Sequence, residues 1–233
     1  MKTIIAISGL KNSGKDLTAH MIRYCLSVPE WMRQYWLYRL VYDFIVSKYE
    51  ITSFASSMKE ALSVLINIPV EKFNDRDFKE NWYINLQSIH ITAFPDDSLM
   101  ITDKQLSRMI KSKKLNVISN YYISIRQLLQ IFGTEIIREY FGNNFWVLRT
   151  LLNKDNIIIS DLRFINEYEQ VKNNNGVVIY IDRNQIPGSH RSESEVIELL
   201  NENKFDYIIN NDGSIEDLFN KVSNLVSKAL KQY

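Results

Sequence analysis

Short, almost unbroken apolar runs alternate along this chain with longer stretches in which apolar residues return every three or four positions. Thr3–Ser8, "NIIISDLRF" from Asn156, "GVVIYIDR" from Gly176 and "DYIIN" from Asp206 are rich in β-branched residues and bounded by charge, glycine or asparagine. That wording fits strands buried on both faces. A fifth strand is expected to end near Phe54 in "EITSF". Helical spacing follows each run: residues 16–26, a helix from about Ser57, "INEYEQVKNN", "SEVIELLNEN" and an amphipathic helix from about Ser214. Strands alternating with helices predict an α/β fold built on a doubly wound, mainly parallel five-stranded sheet. In such sheets ligands gather beyond the carboxyl ends of the strands.

Other stretches break this rhythm. Residues 30–48 carry Trp31, Tyr35, Trp36, Tyr38 and Tyr42 after Pro29 and read as a helical segment whose aromatics belong to the core. Residues 125–140 predict one helix, and "NNFWVLRTLLN" from Asn143 predicts another. Between them and the second strand, residues of about 83–119 combine turn signals with a lysine cluster at 111–114 and read as an insertion with a solvated basic face. The expectation is a single domain over residues 1–233, with helical insertions and a lid-like loop at about 183–195 that contains Pro187 and Gly188.

Composition narrows the class. The chain has 233 residues, 45% of them hydrophobic, enough for one sizeable core. Lys plus Arg 28 against Asp plus Glu 27 leaves a net charge of +1, so no global field recruits nucleic acid or an anionic membrane. One cysteine, Cys25, cannot make an internal disulfide and is expected to be a buried packing residue in a reducing compartment. The first apolar run is interrupted at residues 8–15, too early for a signal-peptide core or a spanning helix. The reading is a soluble, cytoplasmic protein.

That interruption, "SGLKNSGKD", carries the chemistry. Gly9, Gly14 and Lys15 have the spacing of a phosphate-cradling loop between a buried strand and a helix. Residues Gly9, Lys11, Asn12, Ser13, Gly14 and Lys15, with Asp16 and Leu17 opening the helix, are the candidate ATP-phosphate site. Backbone amides and the positive end of the helix would hold the oxygens, with Lys15 reaching the β and γ phosphates. Serine or threonine normally follows the lysine; here it is Asp16. An acidic side chain beside phosphates is tolerable if it holds Mg²⁺, directly or through water, or pairs with an arginine such as Arg163. As a helix-terminal carboxylate it would add only ~0.3–1 kcal/mol of stability.

Asp161, ending an apolar strand, is the second candidate Mg²⁺ ligand. Two residues on, Arg163 would point the same way if the strand persists. Lys15, Asp16, Asp161 and Arg163 form the candidate catalytic set.

In this order, "SGLKNSGKD", "SFASSMKEAL", "IRQLLQIFGTE", "NNFWV", "IISDLRFINEYEQVKNNNGVVIYIDR" and "HRSESE" resemble the phage-type deoxynucleoside monophosphate kinases of the P-loop kinase superfamily. The resemblance implies transfer of the γ-phosphoryl group of ATP, with Mg²⁺, to a 5′-deoxynucleotide, a viral origin and a homodimer. It places Arg126 on the acceptor phosphate, and Gln127, Gln130, Gly133 and Thr134 along the acceptor pocket. Trp146 is expected to stack on a base, and Asp161, Arg163 and Glu167 match an acidic-basic-acidic run at the acceptor. Arg183, His190 and Arg191 would belong to a lid closing over the phosphates. Gln127, Gln130 and Trp146 also fit simple packing in amphipathic helices.

Three rival readings compete. "NKFD" at residues 203–206 matches the guanine-reading motif of a nucleotide switch, but it precedes a strand rather than following one. A kinase of a small phosphorylated metabolite, such as phosphomevalonate, would use the same arginine-rich site. A nucleic-acid module on the lysines at 111–114 lacks a basic balance and a nearby aromatic platform.

Overall fold

The computed structural model describes residues 3–85, 89–93, 100, 104, 108, 122–152, 154–185 and 191–230, the side chains of His90, Thr134, Glu135, Arg191 and Ser192 excepted. In chain order its elements are β1 (Thr3–Ser8), α1 (Lys15–Ser27), α2 (Tyr35–Val41), β2 (Glu50–Thr52), α3 (Ser56–Ile66) and α4 (Arg76–Asn81). Then come β3 (Tyr83–Asn85), β4 (His90–Thr92), β5 (Tyr122–Ser124), α5 (Ile125–Gln130), a π-helix (Ile131–Ile136), α6 (Ile137–Phe141) and α7 (Phe145–Leu151). The chain closes with β6 (Asn156–Leu162), α8 (Ile165–Asn173), β7 (Val177–Asp182), α9 (Arg191–Asn201), β8 (Tyr207–Asn210) and α10 (Ile215–Ala229). Contacts divide it into two compact units, Met1–Phe54 with Val147–Tyr233, and Ala55–Trp146.

The first unit holds the five-stranded sheet, ordered β2-β6-β1-β7-β8, with every pairing parallel. The expected sheet is therefore present, strand for strand. Alternation along β1 sends Ile5 and Ile7 into one core and Ile4 and Ala6 into the other, which is why the run is apolar without a break. The Ile5 side is closed by α1 and α10 through Ala19, Met21, Ile22, Leu218, Phe219, Val222 and Val226. The Ile4 side is closed by Val147, Leu151, Val171 and Leu199 from α7, α8 and α9. β1 is the strand from which the chain winds out to both sides, so its carboxyl end is the topological switch point and the loop after it sits where ligands bind.

Residues 30–48 are less regular than the aromatic pattern predicts. Two 3₁₀ turns, Glu30–Met32 and Tyr42–Phe44, flank the seven-residue α2. Tyr35 and Tyr38 pack on Phe219, with ring centroids 5.9 and 5.2 Å apart. Trp31 and Trp36 are not core residues; they are 73% and 62% exposed. Their side chains follow a helical period too short-lived to bury both.

The second unit has its own core of Leu62, Phe73, Phe78, Ile84, Ile123, Ile125, Leu128 and Ile131. Its three-stranded sheet, β4-β3-β5, is antiparallel, which is why the sequence loses its βα rhythm here. The lysine cluster at 111–114 lies outside the described residues. The helix expected over 125–140 is one continuous helical run through Phe141, interrupted by the π-helical turn. In the first unit, residues 191–195 of the expected lid-like loop belong to α9, while 186–190 lie outside the described residues.

Cys25 is fully buried on the Ile5 side of the sheet, and burial pushes its thiol up to about 12 against the opposing charge of Arg33. Because only the thiolate attacks disulfides, the native protein should fail to react with a disulfide reagent at pH 8. One thiol per chain should appear on denaturation; fast reaction of the folded protein would contradict the packing.

Candidate active site

The loop between β1 and α1 is built around two glycines and a lysine. Gly14 adopts φ 99°, a left-handed conformation that glycine takes without strain, and it forms the N-cap of α1. A Cβ on Gly9 would lie 2.6 Å from the Ile181 carbonyl oxygen and from Ser13 Oγ, so the backbone there admits no side chain. Lys15 is 8% exposed and folds back into the loop, donating to the carbonyl oxygens of Gly9 (2.9 Å) and Leu10 (2.7 Å). Burial lowers its ammonium to about 8, and the positive charge of Arg163 adds to the shift, while Asp16, Asp161 and Glu193 oppose it. A cation held this far below its usual range gains most when an anion arrives. Ser8 Oγ and Ser13 Oγ are buried with no hydrogen-bond partner among the described residues. The first-turn amides of α1 have no intrahelical acceptor. This is a concavity of donors.

The four candidate catalytic residues come together here, since Arg163, Asp16 and Asp161 all act on the Lys15 charge. Asp16 is exposed in the first turn of α1, and no ion pair joins it to Arg163 among the described residues. Asp161 Oδ1 accepts the Phe54 amide at 2.7 Å, fastening the end of β2 to β6. Between Ala6 and Ser8 the register slips, so that two steps along β1 face three along β6, ending at Leu162. Such bulges re-aim side chains. Arg163 lies beyond the end of β6, so the alternation expected to align it with Asp161 does not apply; both reach the loop electrostatically instead. Two carboxylates beside a phosphate loop, with oxygen ligands only, suit a hard cation that keeps waters and shares phosphate oxygens, as Mg²⁺ does.

Glu167 has a different occupation from the one expected. It is 2% exposed, and its Oε2 accepts the amides of Arg163 (2.8 Å) and Phe164 (3.1 Å), closing the N-terminus of α8. Its carboxylate thereby fixes the turn that presents Arg163. Arg183, at the end of β7, donates to the Asn12 carbonyl at 3.2 Å. Glu193, to which the sequence reading gave no role, accepts the Lys11 amide at 3.3 Å. His190 and the Arg191 side chain lie outside the described residues.

The acceptor candidates fall in the second unit. Arg126 is exposed on α5 and engages Glu80 through both Nε (2.9 Å to Oε2) and Nη2. Gln130, one turn on, is also exposed. Gln127 instead completes a capping box: its Oε1 accepts the Ser124 amide at 2.8 Å, while Ser124 Oγ accepts the Gln127 amide. The signal for this, serine three residues before glutamine, is legible in "SIRQ". Trp146 is 6% exposed, donates its indole N–H to the Gly133 carbonyl at 3.0 Å and lies between Phe132 and Phe145. Its ring is packed rather than presented to a base. Gly133 sits in the π-helix facing Met58, whose sulfur occupies the place a Cβ would take. The glycine serves close packing within this unit. The Thr134 side chain lies outside the described residues.

The switch reading loses its motif. Asp206 of "NKFD" accepts Lys172 Nζ at 2.8 Å and the Val178 amide at 2.7 Å, tying α8, β7 and the approach to β8 together. That aspartate is a structural acceptor.

Gly133→Ala should lower the melting temperature by a few degrees, the shift expected for ~1–3 kcal/mol of overpacking. Adding Met58→Ala should recover part of it, as thermal unfolding of the single and double variants would register.

Comparison with known proteins places this geometry. The family model of deoxynucleotide monophosphate kinase matches residues 3–222. The chain is similar to the deoxynucleotide monophosphate kinase of Escherichia phage RB69, at 24% identity over 96% of this chain and 99% of the relative. It is also similar to that of Enterobacteria phage T4, at 24% identity over 95% and 97%. The deoxynucleoside-5′-monophosphate kinase of Escherichia phage T5 is 27% identical over 90% and 93%. With the phosphate loop, its lysine and the five-stranded sheet all covered by the match, the chain belongs to the deoxynucleotide monophosphate kinase family.

Proposed function

We propose that this kinase binds ATP with Mg²⁺ at residues 9–17 and passes the γ-phosphoryl group to the 5′-phosphate of a deoxynucleotide held by Arg126. The observation that carries the reading is the buried Lys15 ammonium, held on the Gly9 and Leu10 carbonyls and pulled down to about 8 by burial. Polyphosphate oxygens offer it a stronger partner than two neutral carbonyls. Lys15 then turns to the β and γ phosphates while the α1 amides hold the remaining oxygens. Asp16 and Asp161 would hold Mg²⁺, directly or through water, and the ion would neutralise charge on the bridging oxygens. Arg163 places a guanidinium where charge spreads on the transferring group. None of these steps needs a general base of special pKa, because phosphoryl transfer is mainly positioning and charge neutralisation.

On the acceptor side Arg126 must exchange Glu80 for the nucleotide phosphate. The present pair is largely exposed and worth little, so the exchange costs little. A kinase of an unrelated phosphorylated metabolite is not favoured by the family match. A coupled ADP-release assay with the four deoxynucleotides, ribonucleotides and phosphomevalonate tests the assignment. ADP release should require a deoxynucleotide; release driven only by phosphomevalonate, or equally without acceptor, would refute it.

Two variants resolve the roles. Arg126→Ala should raise KM for the deoxynucleotide by roughly tenfold or more, the worth of a charge-assisted bond of ~1.5–3 kcal/mol, with KM for ATP little changed. If the ATP constant moves instead, the arginine serves the other substrate. Asp16→Asn should keep the fold and most ATP affinity but lower kcat by on the order of 10²-fold. Asp16→Ser should regain part of that rate across a magnesium titration if Asp16 ligates the ion. An Asp16→Asn enzyme as fast as the parent would leave Asp16 only its helix-dipole role.

A further inference from the structure

We infer that Asn211 is a positioning residue for phosphoryl transfer: it holds the phosphate loop at its Ser13–Gly14 turn. A loop that binds phosphate must turn its carbonyl oxygens away, because each one facing the ligand repels it. In this protein the carbonyls of Gly9 and Leu10 are taken by Lys15, and that of Asn12 by Arg183. The carbonyl of Gly14 accepts both the amide and the hydroxyl of Thr18, at 2.9 and 3.0 Å. That of Ser13 accepts Asn211 Nδ2 at 2.8 Å, across 198 positions of sequence.

Two further facts make this contact specific. A Cβ on Gly14 would stand 2.7 Å from the same Nδ2, so the glycine is shaped to receive the amide as well as to adopt its left-handed φ. Asn211 is itself fixed, its own amide donating to the Asp182 carbonyl at the end of β7. Only the nitrogen of a side-chain amide can face a carbonyl oxygen, so chemistry sets the orientation.

Charge separates Asn211 from the other ties. Lys15 and Arg183 are cations that an arriving polyphosphate attracts away from their carbonyls, and Glu193 is an anion it repels from the Lys11 amide. Asn211 is neutral and has no comparable reason to leave. It is the side-chain tie from outside the loop that persists when nucleotide binds, and it holds Gly14, the residue that starts α1, in place beneath the phosphates.

This inference rests on the phosphate-loop reading, and the experiment separates the two. ADP binding to the full-length chain is measured by calorimetry for the parent, Lys15→Met, Asn211→Ala and Asn211→Asp, alongside steady-state kinetics and thermal unfolding. If the parent does not bind ADP, or Lys15→Met binds it as tightly as the parent, the loop assignment itself fails. With those controls met, Asn211→Ala should weaken ADP about tenfold, the size of one buried hydrogen bond. Asn211→Asp keeps the shape but sets an oxygen against the Ser13 carbonyl, and should weaken ADP further. KM for ATP should rise in parallel and KM for the deoxynucleotide stay within about twofold. Lower melting temperatures with ADP affinity and KM for ATP within twofold of the parent would make Asn211 merely structural and overturn the inference. Equal loss of affinity for both substrates would do the same.

Discussion

A buried ammonium must be surrounded by oxygens, and the geometry around Lys15 follows from that requirement. Having lost most of its water, Lys15 is held by carbonyls of its own loop, which bends the chain into the concavity that phosphates need. The bend is possible because Gly9 and Gly14 have no side chains and because β1, sealed in the sheet centre, gives the loop a fixed origin. Around this cation the end of β6 brings Asp161 and Arg163, α1 brings Asp16, and α9 brings Glu193. The sheet thus works as a frame that collects charges of both signs from distant parts of the sequence at one strand end.

Much of this was legible in the chain because physics makes it so. Parallel strands covered on both faces carry side chains into two cores and must be apolar at every position, so "TIIAIS", "NIIIS" and "VVIYI" read plainly. The phosphate loop is equally legible, since its glycines answer to local backbone geometry. What the chain did not disclose depends on neighbours remote in sequence. Trp146 looks like a base-stacking residue until Phe132, Phe145 and the Gly133 carbonyl enclose it. Glu167 looks like a site acid until its carboxylate is found closing the turn at Arg163. The slip in register that re-aims Asp161 arises only when β1 and β6 are laid side by side. Asn211 meets the loop across almost the whole chain.

Local signals were also present and outweighed. "SIRQ" carries a capping box, which takes Gln127 out of the substrate pocket and uses it to start the helix that displays Arg126. Similar chemistry thus serves two neighbours differently. The buried amide secures the helix, and the exposed guanidinium is left on its surface for exchange with another anion.

The π-helical turn at Ile131–Ile136 sets how this helix tolerates change in length. A π-turn accommodates one residue more than an α-helix would over the same span. Deleting a single residue within it would let the run close up as regular α-helix, rotating everything downstream by about 100°, since an α-helix has 3.6 residues per turn. Ile137–Phe141 would then present another face, and the Gly133 carbonyl would lose its alignment with the Trp146 indole. Insertions and deletions here are therefore phase errors, and their cost would be felt in packing far from the site of the change.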